Sequence, residues 1–190
     1  EQFLIIYPIA FAWLCALIYR AIGEAGPLLI PVASGAIACW ATGRLGMRLG
    51  LKRPLWAAWL VGLASPLTMY AVLVWGHAPA VAAAAVGWLL LAPGRGPWAT
   101  AGAGVAMGLA AAFRNEGLLL AAVVGGLVLA VGPAPRWRHA LAFACGLALA
   151  LSGPTAYNLA NFGHPLDPTQ ASRAAYLTPA VLDGRWMVRV

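Results

Sequence analysis

Seven apolar runs, at roughly 3–22, 27–43, 55–75, 78–92, 98–113, 117–133 and 137–157, follow one another with only short polar breaks between them. Several approach the length of about 20 residues that an α-helix needs to cross a bilayer. A chain written this way has few alternatives to helices, because a lipid-facing backbone must satisfy its own hydrogen bonds within each segment. The runs at 78–92 and 98–113 are short, reaching only about 23–24 Å at 1.5 Å per residue, so each must borrow flanking residues or meet a thinned membrane.

Composition supports the same solvent. The 190 residues are 63% hydrophobic and 9% charged, with a mean hydropathy of +0.83, and a soluble domain of this make-up would expose large apolar patches. The 22 glycines and 14 prolines are common in transmembrane helices, where neighbouring helices accommodate them. The expected fold is therefore all-α: a polytopic transmembrane helical bundle of about six to seven apolar helices over 1–157, followed by an extracytoplasmic loop or a further region over 158–190. Small-xxx-small spacings such as Gly102 to Ala106 and Gly104 to Gly108 predict close helix packing.

The net charge of +7 does not point to nucleic acid, because the basic residues fall in short clusters between apolar runs rather than along one face. They read as topology signals. Arg44, Arg48, Lys52 and Arg53 sit in one break, Arg95 in another, and Arg136 and Arg138 in a third. Placing these alternate breaks in the cytoplasm, as Lys and Arg bias requires, leaves all five acidic residues on the other side. His77, Arg114, Asn115, Glu116, Asn158, Asn161, His164 and Asp167 go with them, which predicts a site on the extracytoplasmic face. The first run either spans or lies at the outer interface as a juxtamembrane helix, with Tyr7, Trp13 and Tyr19 as belt aromatics; the interfacial placement is preferred here.

The stretch Phe113-Arg114-Asn115-Glu116-Gly117 puts two opposite charges between apolar runs. On a continuous helix Arg114 and Glu116 would point about 200° apart and could not pair, so a turn at the membrane surface is expected there. Two roles compete. The charges either anchor the chain at the interface, or Arg114 grips an anionic lipid-linked group with its phosphate-matched fork while Glu116 orients it. His77 is expected in the first turn of the next helix, two residues before Pro79. Asn158 and Asn161, at spacing i, i+3, share a helix face near the surface, Gly163 fits a C-cap and His164-Pro165 a turn. An ordinary helix exit accounts for these residues equally well. Cys15, Cys39 and Cys145 lie inside apolar runs with no metal-ligand spacing. Nucleophile-elbow, phosphate-loop and HExxH motifs are absent, as is a charged residue in mid-span, which argues against a pump or ion-coupled transporter.

In order, "YP", "YRAIG", "GRLGMRLG", "LASPLTMYAVLVWGHAPAVAAAA", "GLAAAFRNEGLLL" and "YNLANFGHPLDPT" resemble the membrane region of GT-C type glycosyltransferases, and are similar to bacterial relatives of protein O-mannosyltransferases and of the aminoarabinose transferases of lipid A. The resemblance implies an inner-membrane enzyme of the cell envelope. It would take a sugar from a polyprenyl-phosphate donor and pass it to a protein, lipid or glycan acceptor on the extracytoplasmic side. On that likeness Arg114 would meet the carrier phosphate with Glu116 beside it, and His77 would line the donor pocket, standing where the family often has an acid. Asn158, Asn161 and His164 are further substrate-binding candidates. Some members bind a divalent metal, although His77 and Glu116 alone do not make a metal site. The family's catalytic Asp or Glu lies in a first extracytoplasmic loop, which would precede Glu1, so this chain is expected to be a piece of a longer protein that does not catalyse by itself. The rival expectation is a non-catalytic, flippase-like subunit that binds polyprenyl lipids.

Overall fold

The computed structural model describes residues 8–165. Within them the chain forms eight helices and no strand: α1 Ile9–Ile22, α2 Gly26–Arg48, α3 Pro54–Leu63, α4 Leu67–Tyr70, α5 His77–Leu90, α6 Pro97–Phe113, α7 Glu116–Val131 and α8 Arg136–Phe162. The all-helical fold agrees with the apolar runs, and the boundaries sit where the sequence punctuates. Pro occupies the first turn of α2, α3 and α6, where its missing N–H costs nothing. Gly163, at φ 69°, closes α8 and returns its N–H to Leu159 O.

Two helices, α2 and α8, are long and apolar enough to cross a membrane, not the six to seven expected. This suggests membrane association. The run at 55–75 is not a single span, because Pro66 has no N–H to offer and the chain breaks into α3 and the single turn α4. Side chains repair the break: Ser65 Oγ donates to Val61 O at 2.6 Å and accepts from Leu67 N–H at 3.2 Å, and Thr68 Oγ1 donates to Gly62 O at 2.6 Å. The other five helices of ten residues or more are simply short, with 10–17 residues each. At 1.5 Å per residue the 14 residues of α1 reach only about 21 Å, less than the roughly 30 Å of a hydrocarbon core.

The interior is built of small residues. On α6, a Cβ placed on Gly104 would collide with the Phe143 carbonyl, and one on Gly108 would come within 2.6 Å of Ala150 Cβ. On α8, Gly146 meets the Ala101 carbonyl in the same way. The spacing Gly104 to Gly108 thus marks the seam along which α6 and α8 run backbone to backbone in the same direction. Ala103, Met107, Ala121, Val124, Val128 and Phe143 fill the core among α6, α7 and α8, while Ala38, Leu67, Ala78 and Ala82 join α2, α4 and α5. Large apolar side chains face outward instead, among them Leu55, Trp56, Trp59, Leu63, Val72 and Leu119. Cys15 and Cys39 are half-buried and Cys145 is exposed, all as free thiols.

Consecutive helices run back and forth, so two ends can be distinguished. The turns before α5 and between α6 and α7 share one end. The α5–α6 connection and the start of α8 share the other.

Candidate functional site

The site is assembled at the first of these ends by a break in one helix and the beginning of another. Arg114 leaves the α-helical region, with φ −149° and ψ 124°, and stops α6; Asn115 then returns to helical angles and opens α7. This is the turn expected in FRNEG, and its extended residue removes the 200° divergence that a continuous helix would impose. Arg114 and Glu116 therefore pair through two parallel bonds, Nε to Oε2 at 3.1 Å and Nη2 to Oε1 at 2.7 Å.

The third member arrives from 37 residues away. His77 is the first residue of α5 and lies against Nη1 of Arg114, with Nε2 at 2.7 Å and Nδ1 at 3.2 Å. What brings it there is the residue before it: a Cβ on Gly76 would stand 2.7 Å from the carbonyl oxygen of Phe113. The imidazole is also held from its other side. Tyr70 stacks on it with centroids 4.2 Å apart and planes at 11°, and Trp75 flanks it at 5.4 Å. Tyr70 is placed by α4, whose Leu67 is packed into the cluster formed with Ala38, Ala78 and Ala82.

Electrostatics follow from this arrangement. The Arg114 hydrogen bonds hold the Glu116 carboxyl below its usual range, so it stays ionised and is a weak base. Desolvation lowers the His77 pKa, the Arg114 charge lowers it further, and Glu116 partly opposes both. The side chains of Arg114 and Glu116 are 33% and 70% exposed, so their pairing belongs to the surface class contributing about 0–1 kcal/mol and a competing anion can displace the carboxylate. Of the five N–H donors of a guanidinium, two go to Glu116 and one to His77. Two remain for a ligand.

The other candidates divide. Asn158 is buried and donates to Pro165 O at a long 3.5 Å. It lines a cleft of about 70 Å³ with Asn115, Thr155 and Pro8, well below the 300–1,000 Å³ of typical ligand pockets. Asn161 is exposed and donates to Tyr157 O of its own helix at 2.9 Å. The shared face of Asn158 and Asn161 is thus not a joint polar surface, since one side chain is buried and the other turned back on its helix. His164 is exposed just beyond Gly163. Neither Asn161 nor His164 touches the Arg114 cluster. Tyr7 and Asp167 lie outside the described residues, as do 166–190 of the expected extracytoplasmic segment.

A divalent metal does not fit these residues. Among the described residues no three His, Cys, Asp or Glu side chains come together, and the available faces of His77 and Glu116 are turned to a guanidinium cation. Two residues of the site escaped sequence reasoning: Tyr70, which ends α4, and Trp75, which lies in the turn before His77. No family profile, curated protein or solved structure matches the chain.

Proposed function

We propose that this chain is the membrane part of a glycosyltransferase that takes a sugar from a polyprenyl-phosphate carrier on the extracytoplasmic face. The observation that carries the reading is the Arg114 cluster, in which a half-exposed guanidinium with two uncommitted donors stands beside the aromatic group of Tyr70, Trp75 and His77. Its chemistry suits a phosphate leaving group next to a sugar ring. The large apolar side chains on the outside of the helices favour a polytopic bundle in lipid, with the shorter helices α5, α6 and α7 grouped around α2 and α8.

In this reading an acceptor oxygen attacks the anomeric carbon, the bond from that carbon to the carrier phosphate breaks, and the electron pair leaves with the phosphate. Arg114 stabilises the charge growing there, an interaction stronger in the transition state than in the ground state. His77 orients the guanidinium, and Glu116 holds it until the phosphate competes for the same donors. Glu116 is not the base, because Arg114 holds it ionised and weakly basic. The proton goes to a carboxylate other than Glu116.

The test is transfer from polyprenyl-phosphate sugar by the full-length protein. Arg114→Ala should reduce turnover by about 100-fold or more, on the scale of losing one preorganised donor to a developing anion, and Arg114→Lys should recover only part because it lacks the fork. Unchanged transfer by Arg114→Ala overturns the reading. A non-catalytic polyprenyl-lipid-binding subunit is the second reading, favoured by the scarcity of acids: Glu24 and Glu116 are the only carboxylates among the described residues. It predicts lipid binding that depends on Arg114 in a full-length protein with no transfer to lose.

A further inference from the structure

At the end away from Arg114, a cavity of about 440 Å³ opens between the last turns of α5 and α7 and the first turns of α6 and α8. Thr100 and Arg114 are separated along α6 by fourteen residues, or about 21 Å, so the two sites are separate. Most of the cavity wall is apolar, contributed by Trp88, Leu91, Leu127 and Val131. Three polar groups also line it: Arg95, Thr100 and His139. No carboxylate does.

His139 is the unexpected member. It is only 5% exposed, and its sole hydrogen bond among the described residues joins Nδ1 to Thr100 Oγ1 at 2.8 Å. The Thr100 hydroxyl has one proton and two candidate acceptors, His139 Nδ1 at 2.8 Å and Gly96 O at 3.4 Å. Nδ1 is thus committed to Thr100, and Nε2 is the ring nitrogen left at the cavity; in its Nε2–H tautomer the ring is a donor there. No described residue takes up Nε2. Arg95, half-buried at the same cavity, has no carboxylate partner among the described residues. An apolar hollow with an unmatched cation, a ring nitrogen without a protein partner and no acid is complementary to an amphiphile with an anionic head.

We propose that this cavity binds an anionic membrane phospholipid, with one acyl chain between α5 and α7 and its phosphate bridging Arg95 and the Nε2–H of His139. The site does not depend on the activity assigned to the Arg114 end. It would make the protein's stability responsive to the lipid headgroups of the leaflet at that end.

The experiment titrates the full chain, purified in neutral maltoside detergent, with phosphatidylglycerol and with phosphatidylcholine of identical acyl chains, and reads bound lipid by native mass spectrometry. Phosphatidylglycerol should bind at least about tenfold more tightly. Arg95→Gln should remove most of that preference, because the charge is what distinguishes the two headgroups, whereas His139→Leu, which removes a phosphate donor, and Leu127→Trp, which adds bulk to the apolar wall, should reduce binding of both lipids. Arg95 and Leu127 line the cavity at the end away from Arg114, so their effects separate this site from the other end. Inorganic phosphate at millimolar concentration should not compete. Equal binding of the two lipids, parental binding by both Arg95→Gln and Leu127→Trp, or full competition by inorganic phosphate would each overturn the proposal.

Discussion

Gly76 and Phe113 meet backbone to backbone: a Cβ on Gly76 would fall 2.7 Å from the Phe113 carbonyl oxygen, closer than real Cβ atoms approach. The residues that follow them, His77 and Arg114, are therefore delivered to one another by the main chain and not by a search of long side chains. Their 2.7 Å contact depends on a hydrogen atom where any other residue carries carbon.

Gly76→Ala should push the α4–α5 turn away from the end of α6. We expect a loss of about 1–3 kcal/mol in unfolding free energy, as for other overpacked contacts. The His77 ring should also leave Arg114. A variant as stable as the parent, with the His77 nuclear magnetic resonance signal unmoved, would contradict the backbone contact.

His77 should titrate below its ordinary 6.5 when followed by imidazole resonances across pH. Arg114→Gln should raise its pKa only in part, because burial is the larger cause, and Glu116→Gln should lower it further by removing the opposing charge. Folding depresses this pKa, so as pH falls below 6.5 the unfolded chain takes up the proton first. The contribution of His77 to stability is complete above 6.5 and declines below it. Glu116 behaves as a depressed carboxylate: its contribution is present above 4.5 and is lost as pH falls through its lowered folded value. High salt should weaken it, given its exposure.

Tyr70→Leu should cost about 0.5–1.5 kcal/mol, the range for a stacked ring pair beyond its buried area, whereas Tyr70→Phe should retain most of the stacking on His77. Chemical unfolding in mixed micelles can compare the two. Equal loss in both would mean that the phenol hydroxyl, not the stack, holds Tyr70.

Gly104→Ala and Gly126→Ala make a matched pair. The first puts a methyl into the Phe143 carbonyl, while the second meets nothing within 4 Å. The expected outcomes are a loss of about 1–3 kcal/mol for Gly104→Ala, and a neutral change or a gain of up to about 1 kcal/mol in helix propensity for Gly126→Ala. Similar effects in the two would deny that α6 and α8 touch through their backbones.

Helix positions were legible because Pro, Gly and short basic clusters mark them, and so was the turn in FRNEG, since two opposite charges two residues apart cannot share a helical face. The close α6–α8 seam was written in Gly104 and Gly108. Helix length was less legible. The apolar stretch at 55–75 carries no charge to mark its interruption at Pro66, and hydropathy does not distinguish a helix from a helix that stops and restarts. The aromatic flank of the site was hidden for a related reason: Tyr70 and Trp75 look like membrane-belt residues until α4 folds one of them onto His77. Asn158 and Asn161 misled because spacing fixes a shared direction on the helix but not what each side chain finds there.

A core rich in Gly and Ala beneath a coat of Leu, Val and Trp reverses the usual rules of tolerance. In the lipid setting proposed above, the surroundings do not discriminate among large aliphatic side chains, so the outer positions can drift freely within that class. The interior cannot accept even one methyl at Gly104 or Gly146. What distinguishes this fold from other oily helical chains is thus carried by a handful of its smallest residues, and a redesign that polished its surface while enlarging those few positions would lose the architecture and leave the composition almost untouched.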